Sequence, residues 1–377
     1  MIRAMDSSEI SLPGGSGGAD RPSGEAGAGA VSMSELGVRE VQDYSLVIDA
    51  RSPREYADDH LPGAVNLPVV DNDQFAEVGT RHKSDKHVAY LIGVEYSLRN
   101  IADQIKPLIS RYSNADRFLV YCFRGGKRSR LWADNLRTIG FEVDVLAGGW
   151  KRYREWVRES LAALAPTLTY RVLAGPTGCG KTRLLNALRR KGHQVLDLED
   201  IAAHRGSLLG DLPGVPQPTQ KWFDSLLLDS MRRFDASRPV WIEAESKKVG
   251  GLQIPAALFE AMHLSPVAHL TAPMNERVRL WREDYPHFAA DPMGMVSKLT
   301  PLKPLVGGST LEEWEALAAT GRIDELFESV MVRHYDICYE RSTRRNYGDA
   351  TGGTMFALHG LDDDSLALAV DSLVALR

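Results

Sequence analysis

The chain has 377 residues, 44% of them hydrophobic and 25% charged, with a formal net charge of -5. That length exceeds one ordinary core, so two domains are expected. The mild acidity excludes whole-surface attraction to nucleic acid and leaves only a local basic patch for such a partner. Three cysteines, Cys122, Cys179 and Cys338, are too few for a disulfide framework and show no zinc spacing. No apolar run is long enough to span a membrane and none resembles a signal-peptide core. A protein of the reducing cytoplasm with no membrane partner is predicted.

Residues 1–30 are rich in Gly, Ser and Ala and have little to bury. A disordered extension over residues 1–33 is expected, with order beginning near Ser34. Residues 45–51 read as a buried strand with a polar end. Ser52, Pro53 and Glu55 then make a helix start, as N-cap, first-turn proline and capping box. Residues 60–68 read as a turn and a short strand, residues 71–96 as a polar stretch without clear period, and residues 101–109 as a helix.

Val120-Tyr121-Cys122 reads as the end of an apolar strand. The loop Phe123-Arg124-Gly125-Gly126-Lys127-Arg128-Ser129 follows, and a helical pattern begins at Leu131 and Trp132. Open α/β sheets place their sites at such strand ends. Glycines let successive N–H groups curl around an anion, and nearby cations favour thiolate over thiol. Cys122 is therefore the predicted nucleophile, with Arg124, Gly125, Gly126, Lys127, Arg128 and Ser129 as the anion-binding set. A buried strand-end cysteine is the commoner fate of a lone one, but it does not need a glycine-cation loop. Residues 141–146 form a further strand, closed by Ala147-Gly148-Gly149-Trp150. The alternation implies a small parallel sheet covered on both faces, over residues 34–160.

A second unit is expected over residues 166–377. Its first strand runs into Gly175-Pro176-Thr177-Gly178-Cys179-Gly180-Lys181-Thr182 and then a helix. This is the full P-loop pattern in its required context. Gly175, Thr177, Gly178, Gly180, Lys181 and Thr182 are the predicted diphosphate-binding residues, with Lys181 neutralising two adjacent phosphates and Thr182 as the Mg²⁺ holder. The pattern supports diphosphate binding; hydrolysis needs more. Later strands are read at residues 194–197, 239–243 and 267–270, and the pattern from Leu311 onward is mostly helical.

Glu243 ends an apolar strand, the place of a metal-supporting acid or, equally, of a solvated strand-end acid. Glu245 and Lys247 follow in a polar loop at the same sheet edge, and Arg205 lies in His204-Arg205-Gly206-Ser207 after another strand, where an anion site and plain surface charge are both open readings. Cys179 is read as incidental to the P-loop and Cys338 as helical core. Basic groups recur as Arg189-Arg190-Lys191, Arg232-Arg233, Arg277/Arg279/Arg282 and Arg341/Arg344/Arg345, interleaved with Trp222, Trp281, Tyr285, Phe288 and Tyr347. Together they suggest a single-stranded RNA surface with stacking platforms; each cluster alone reads as a solvated helix face.

The first unit resembles a rhodanese domain in Ile48-Asp49-Ala50-Arg51-Ser52-Pro53-Arg54-Glu55-Tyr56, His60-Leu61-Pro62-Gly63-Ala64-Val65-Asn66, the Cys122 loop and Leu146-Ala147-Gly148-Gly149-Trp150. In that family the loop cysteine carries sulfur or selenium as a persulfide or its selenium analogue. Here Arg128 falls six positions after Cys122, whereas sulfurtransferases commonly have five. Six is the spacing of cysteine phosphatases on the same fold, although Tyr121 stands where those usually carry histidine. The longer loop fits a larger oxyanion.

A rhodanese unit followed by a P-loop unit is similar to the tRNA 2-selenouridine synthase family. The matching residues include Glu77-Val78-Gly79-Thr80, Tyr121-Cys122-Phe123-Arg124-Gly125-Gly126, the P-loop, His204-Arg205-Gly206-Ser207 and Ile242-Glu243-Ala244-Glu245-Ser246-Lys247-Lys248. The resemblance implies an α/β fold of two doubly wound domains, the second P-loop NTPase-like with a mostly helical C-terminal region. It implies a selenotransferase that replaces the sulfur of wobble 2-thiouridine in tRNA, with selenophosphate and geranyl diphosphate as co-substrates and an S-geranylated intermediate. Cys122 would carry selenium and the P-loop would hold the prenyl diphosphate, with Mg²⁺ as an aid to its departure. A selenophosphate-supplying enzyme is an expected partner; haem, flavin and zinc are not expected. The alternatives are a P-loop kinase or NTPase with a regulatory rhodanese unit, a rhodanese-fold cysteine phosphatase, and a non-catalytic RNA-binding protein.

Overall fold

The computed structural model describes residues 31–347 and 353–375, and the expected disorder of residues 1–30 lies outside them. Two parallel sheets carry the chain. The first has strands β1 (Leu46–Asp49), β2 (Val65–Asn66), β3 (Arg117–Tyr121) and β4 (Glu142–Val145) in the order β2-β1-β3-β4. The second is built from β5 (Tyr170–Ala174), β6 (Gln194–Leu196), β7 (Val240–Glu243), β10 (Val267–Thr271) and β11 (Thr354–Ala357), ordered β11-β10-β5-β7-β6. A hairpin of β8 (Lys248–Val249) and β9 (Leu252–Gln253) stands apart. Apolar, β-branched strands such as Leu46-Val47-Ile48 are buried throughout, as strands covered on both faces require.

In each sheet the strand order reverses beside a strand that ends in a glycine loop. In the first, β2 lies on one side of β1 and β3 on the other; in the second, β7 and β10 flank β5. Crevices open at such switch points. Helix α1 (Pro53–Asp58) starts as expected, with Ser52 and Glu55 in a capping box and Pro53 in the first turn.

The polar stretch at residues 71–96 is not a loop. It forms α2 (Asn72–Ser84) and most of α3 (Lys86–Ile109), capped by Asp71 and Asp85. The packed face of α3 is small: Ala89 and Ser97 are buried at helical spacing, and a Cβ on Gly93 between them would lie 3.5 Å from Val78 Cγ1. Small residues give a close helix contact but no hydrophobic period. The larger side chains Tyr90, Leu91, Val94 and Leu98 are exposed. Met33, expected within the disordered extension, is buried with Leu61 and Trp156 in the core.

Helix α5 (Gly149–Leu164) leaves the first sheet and buries Trp150, Tyr153, Trp156, Val157 and Leu161 in a core that also contains Tyr121 of β3 and Tyr170 of β5. It packs against α8 (Gln220–Met231) of the second sheet's layer. Asp59 is fully buried at this junction. Its carboxylate accepts from Trp150 Nε1 at 2.7 Å and from Ser225 Oγ at 2.7 Å, and Arg154 lies 3.5 Å away. Burial pushes the Asp59 carboxyl up despite the Arg154 charge and these hydrogen bonds. Among the described residues the region after Leu311 is mostly helical, and β11 completes the edge of the second sheet.

Candidate functional site

At the carboxyl end of β3, the chain turns into a cradle held by the first turn of α5. Trp150 N donates to the Cys122 carbonyl at 2.8 Å and Lys151 N to the Phe123 carbonyl at 2.9 Å. Gly149, at φ 59°, makes this approach feasible, since a Cβ there would stand 2.2 Å from the Cys122 carbonyl oxygen. Gly125, at φ 66°, is pressed the same way against Leu146. Opposite the loop, Arg51 is buried and paired with Asp49 at 2.6 Å, so it stiffens the strand ends and stays out of the cleft.

Cys122 is 3% exposed. Its Sγ lies 3.3 Å from Ser129 Oγ and accepts the Gly126 N–H at 3.3 Å. Burial alone would raise its pKa. The hydrogen bonds from the Ser129 hydroxyl and backbone, the Arg128 charge and the Gly126 N–H outweigh it, and the thiol falls below its ordinary value. Arg128 is held by Glu55 in a two-pronged pair at 2.7 and 3.3 Å. Burial opposes ionisation of Glu55, but Arg128 and Ser52 hold its carboxyl below the usual range. Lys127 Nζ sits 3.6 Å over the Tyr90 ring, and the Arg124 guanidinium 5.6 Å over Phe123. The result is an open cleft of about 460 Å³ lined by Cys122, Phe123, Arg124, Gly126, Lys127 and Arg128. The Cys122 sulfur, its pKa lowered, lies at the floor, cations form the rim, and α4 (Lys127–Ile139) points its N-terminus toward it.

The second cradle follows β5 and opens α6 (Lys181–Arg190). Lys181 Nζ donates to the Gly175 carbonyl at 2.8 Å across the loop. From α10 (Met274–Asp284), buried Arg277 donates to the Thr177 carbonyl at 2.8 Å and pairs with Asp336 at 2.6 Å, bracing the loop from behind. Thr182 Oγ1 donates to Glu199 at 3.2 Å, and Glu199 N donates to Glu243 at 2.9 Å. A Cβ on Gly206 would be 2.8 Å from a Glu245 oxygen and 3.2 Å from one of Glu199, which places both carboxyls against the His204–Ser207 turn.

Burial and their mutual repulsion push Glu243 well up, and Glu245 up to about 8. Asp197 and Glu199 are raised by burial too. Burial would lower the Lys181 ammonium, but Cys179 and these carboxyls hold it up. A cleft of about 460 Å³ opens in front, lined by Lys181, Thr182, Arg189 and Arg205, by Asp197, Glu199 and Asp284, and by the apolar Leu212, Leu280, Trp281 and Tyr285. The Arg205 guanidinium stacks 4.6 Å over Tyr285.

Several sequence expectations change here. Glu243 is fully buried and not a solvated strand-end acid; its second oxygen has no hydrogen-bond partner. Lys247 is exposed, 5.6 Å from the Phe259 ring, and does not line the cleft. Among the described residues no group of three or more His, Cys, Asp or Glu is arranged to hold a metal ion. Cys338 is exposed and not core; its Sγ lies 3.7 Å from His334 Nδ1.

The proposed stacking platforms are interior: Trp281, Tyr285 and Phe288 are 3, 6 and 5% exposed and belong to a C-terminal core with Trp314 and Phe327. Trp222 stacks on His60. Arg190, Lys191, Arg232, Arg233, Arg279 and Arg282 pair with acids. The side chains of Arg344, Arg345 and Tyr347 lie outside the described ones. Glu199 and Arg277 were not singled out for the P-loop site. The signal for Glu199 was present in Asp197-Leu198-Glu199 at the end of β6, while Arg277 reaches across 100 residues and left none.

A family model for the rhodanese-like domain matches residues 35–155. A model described as the tRNA 2-selenouridine synthase AAA domain matches residues 168–296. The chain is 33% identical over 303 residues to a tRNA 2-selenouridine synthase of Nitrosomonas europaea, covering 79% of this chain and 77% of the relative. It is 33% identical over 273 residues to one of Nitrosomonas eutropha, covering 71% and 69%. With one of Shewanella piezotolerans it is 29% identical over 341 residues, covering 82% and 92%.

Proposed function

The chain belongs to the tRNA 2-selenouridine synthase family, and from that premise we propose that it is a tRNA-modifying selenotransferase using two clefts in sequence. The P-loop cleft takes geranyl diphosphate and transfers its prenyl group to the sulfur of wobble 2-thiouridine. The Cys122 cleft takes selenophosphate and supplies the selenium that displaces the alkylated sulfur. Thione sulfur is a poor leaving group; as an S-alkyl group it departs as a thiol, so the first step readies the base for the second.

The observation that supports this reading is the presence of two glycine loops at strand ends in one chain, one of them with a cysteine of lowered pKa at its floor. The apolar wall of Leu212, Leu280, Trp281 and Tyr285 beside the Lys181 loop suits a prenyl chain with its diphosphate on the loop. Lys181 and Arg205 would neutralise the departing diphosphate. Thr182 and Glu199 offer hard oxygen donors 3.2 Å apart, the partial set Mg²⁺ uses when phosphates supply the remainder. Bound there, Mg²⁺ would add charge stabilisation to the departing diphosphate. The partners are a tRNA bearing 2-thiouridine and a selenophosphate-supplying enzyme. A cytoplasmic location accords with a tRNA substrate; among the described residues no helix is long and apolar enough to cross a membrane.

The test is incubation of the full chain with thiolated tRNA, geranyl diphosphate and selenophosphate, singly and together, with nucleoside mass spectrometry. S-geranyl-2-thiouridine is expected with the diphosphate alone, and selenouridine with both. Selenouridine formed without a prenyl donor overturns the two-step order. ATP turnover without tRNA dependence overturns the diphosphate assignment.

A further inference from the structure

We propose that Cys122 accepts the phosphoryl group of selenophosphate and not its selenium, so that hydrogen selenide is generated in the cleft as the nucleophile for the base. The proposal rests on the reading above that selenophosphate is the donor, and it settles what the thiolate does to it.

Oxidation state argues first. Selenium in selenophosphate is at the selenide level, bonded to phosphorus(V). Joining it to a thiolate as an S–Se bond needs removal of two electrons, or departure of phosphorus as phosphite. The site holds no second thiol for such redox work. Cys179 is buried within the P-loop and Cys338 lies on the helix Asp336–Tyr347. Attack on phosphorus needs no oxidant. A Cys122 sulfur lone pair forms the S–P bond, the P–Se bonding pair leaves with selenium, and the proton carried by monoprotonated selenophosphate passes to it, giving HSe⁻, a far weaker base than a thiolate and hence a ready leaving group.

HSe⁻ then bonds to C2 of the S-alkylated uridine, its proton passes to N3 of the base, and the C2–S bond breaks to release the prenyl thiolate, which takes a proton from solvent. Water attacks the phosphorus and the S–P bond breaks. Inorganic phosphate departs and the thiolate is restored, with the water protons passing to phosphate and solvent.

Geometry argues second. The arginine six places after the cysteine, the glycine loop and the N-terminus of α4 surround a space suited to a tetrahedral oxyanion. Ser129 Oγ lies 3.3 Å from Sγ, buried at the floor of the loop. A hydroxyl there serves a sulfur that must leave: it donates to the thiolate as the S–P bond breaks. Glu55 holds Arg128 from outside the loop, so the guanidinium is oriented before the anion arrives.

The experiment supplies the full chain, without tRNA, with selenophosphate radiolabelled in either phosphorus or selenium, quenches in acid and maps the label; an intact-mass measurement will not serve, because selenium and a phosphoryl group add nearly the same mass. Labelled phosphorus on Cys122 with release of an equal amount of selenide is expected. Its yield should rise about tenfold or more in Ser129→Ala, whose phosphoenzyme hydrolyses slowly, and vanish in Cys122→Ser. Labelled selenium on Cys122 overturns the proposal while leaving selenophosphate as donor. So does selenouridine production by Ser129→Ala with neither label ever on the protein. No selenouridine from the wild-type chain with prenylated tRNA and selenophosphate overturns the donor reading and this inference with it.

Discussion

Around Cys122 the loop's charged neighbours are mainly cations: Arg124, Lys127 and Arg128, the last held by the single acid Glu55. Around Lys181 and Thr182 the acids Glu199, Glu243 and Glu245 gather, with Asp197 beside Glu199 and Glu243, and Arg189 and Arg205 are further cations lining the same cleft. Both sites are glycine loops between a parallel strand and a helix N-terminus at a strand-order reversal. Backbone geometry therefore does not distinguish them; side-chain charge does. The first cleft is biased toward a free anion and a thiolate. The second is biased toward an anion that arrives with a cation, since burial and mutual repulsion raise its carboxyls and positive charge would relieve that repulsion. The difference supports the proposed division, with selenophosphate consumed at Cys122 and a diphosphate departing from the P-loop.

The largest expected effects separate the two clefts. Cys122→Ser should lower selenouridine formation on the order of a thousandfold while leaving S-geranylation intact, read by nucleoside mass spectrometry. Equal loss of both products would show that the clefts do not divide the work. Lys181→Ala should do the converse, cutting geranyl transfer about 10²- to 10³-fold but sparing selenation of tRNA that is already geranylated. Smaller is Glu55→Gln, which frees Arg128 from its pair. It should raise the KM for selenophosphate about tenfold and leave the KM for geranyl diphosphate unmoved; a change in the latter would mean that the junction at Asp59 transmits the perturbation.

What was legible in the sequence was what is contiguous in it. The Cys122 loop, the P-loop and the Ser52 capping box each lie within ten residues, and their backbone roles follow from residue type alone. The helical hairpin α2–α3 was hidden because Ala89, Gly93 and Ser97 make its contact with residues that carry no hydrophobic signal. The aromatic residues Trp281, Tyr285 and Phe288 read as an RNA surface because their interleaved arginines look exposed, yet those rings form the C-terminal core and Arg277 is buried behind the P-loop. Asp59, which joins α1, α5 and α8, was not singled out, since Trp150 and Ser225 lie 91 and 166 residues away.

The smallest effect tests the sign of the charge contrast through stability. Glu243 and Glu245 have carboxyls raised in the folded state, Glu245 to about 8. A raised carboxyl gives its full contribution below the unfolded value of about 4.3 and loses it as pH climbs through the folded value. Glu55 is shifted the other way, so its contribution is present above the unfolded value and disappears only on acidification. Without metal or ligand, the melting temperature should therefore fall between about pH 5 and pH 8 because of the P-loop acids and not because of Glu55. Glu243→Gln keeps the acceptor for Glu199 N and removes one buried charge. It should raise the melting temperature near pH 8 by roughly 2–4 °C and leave it unchanged near pH 5. Glu55→Gln should lower it slightly at both. A Glu243→Gln variant that is less stable near pH 8 would mean that the carboxylate is already paired by cations in the free protein, and the charge contrast between the two clefts would disappear.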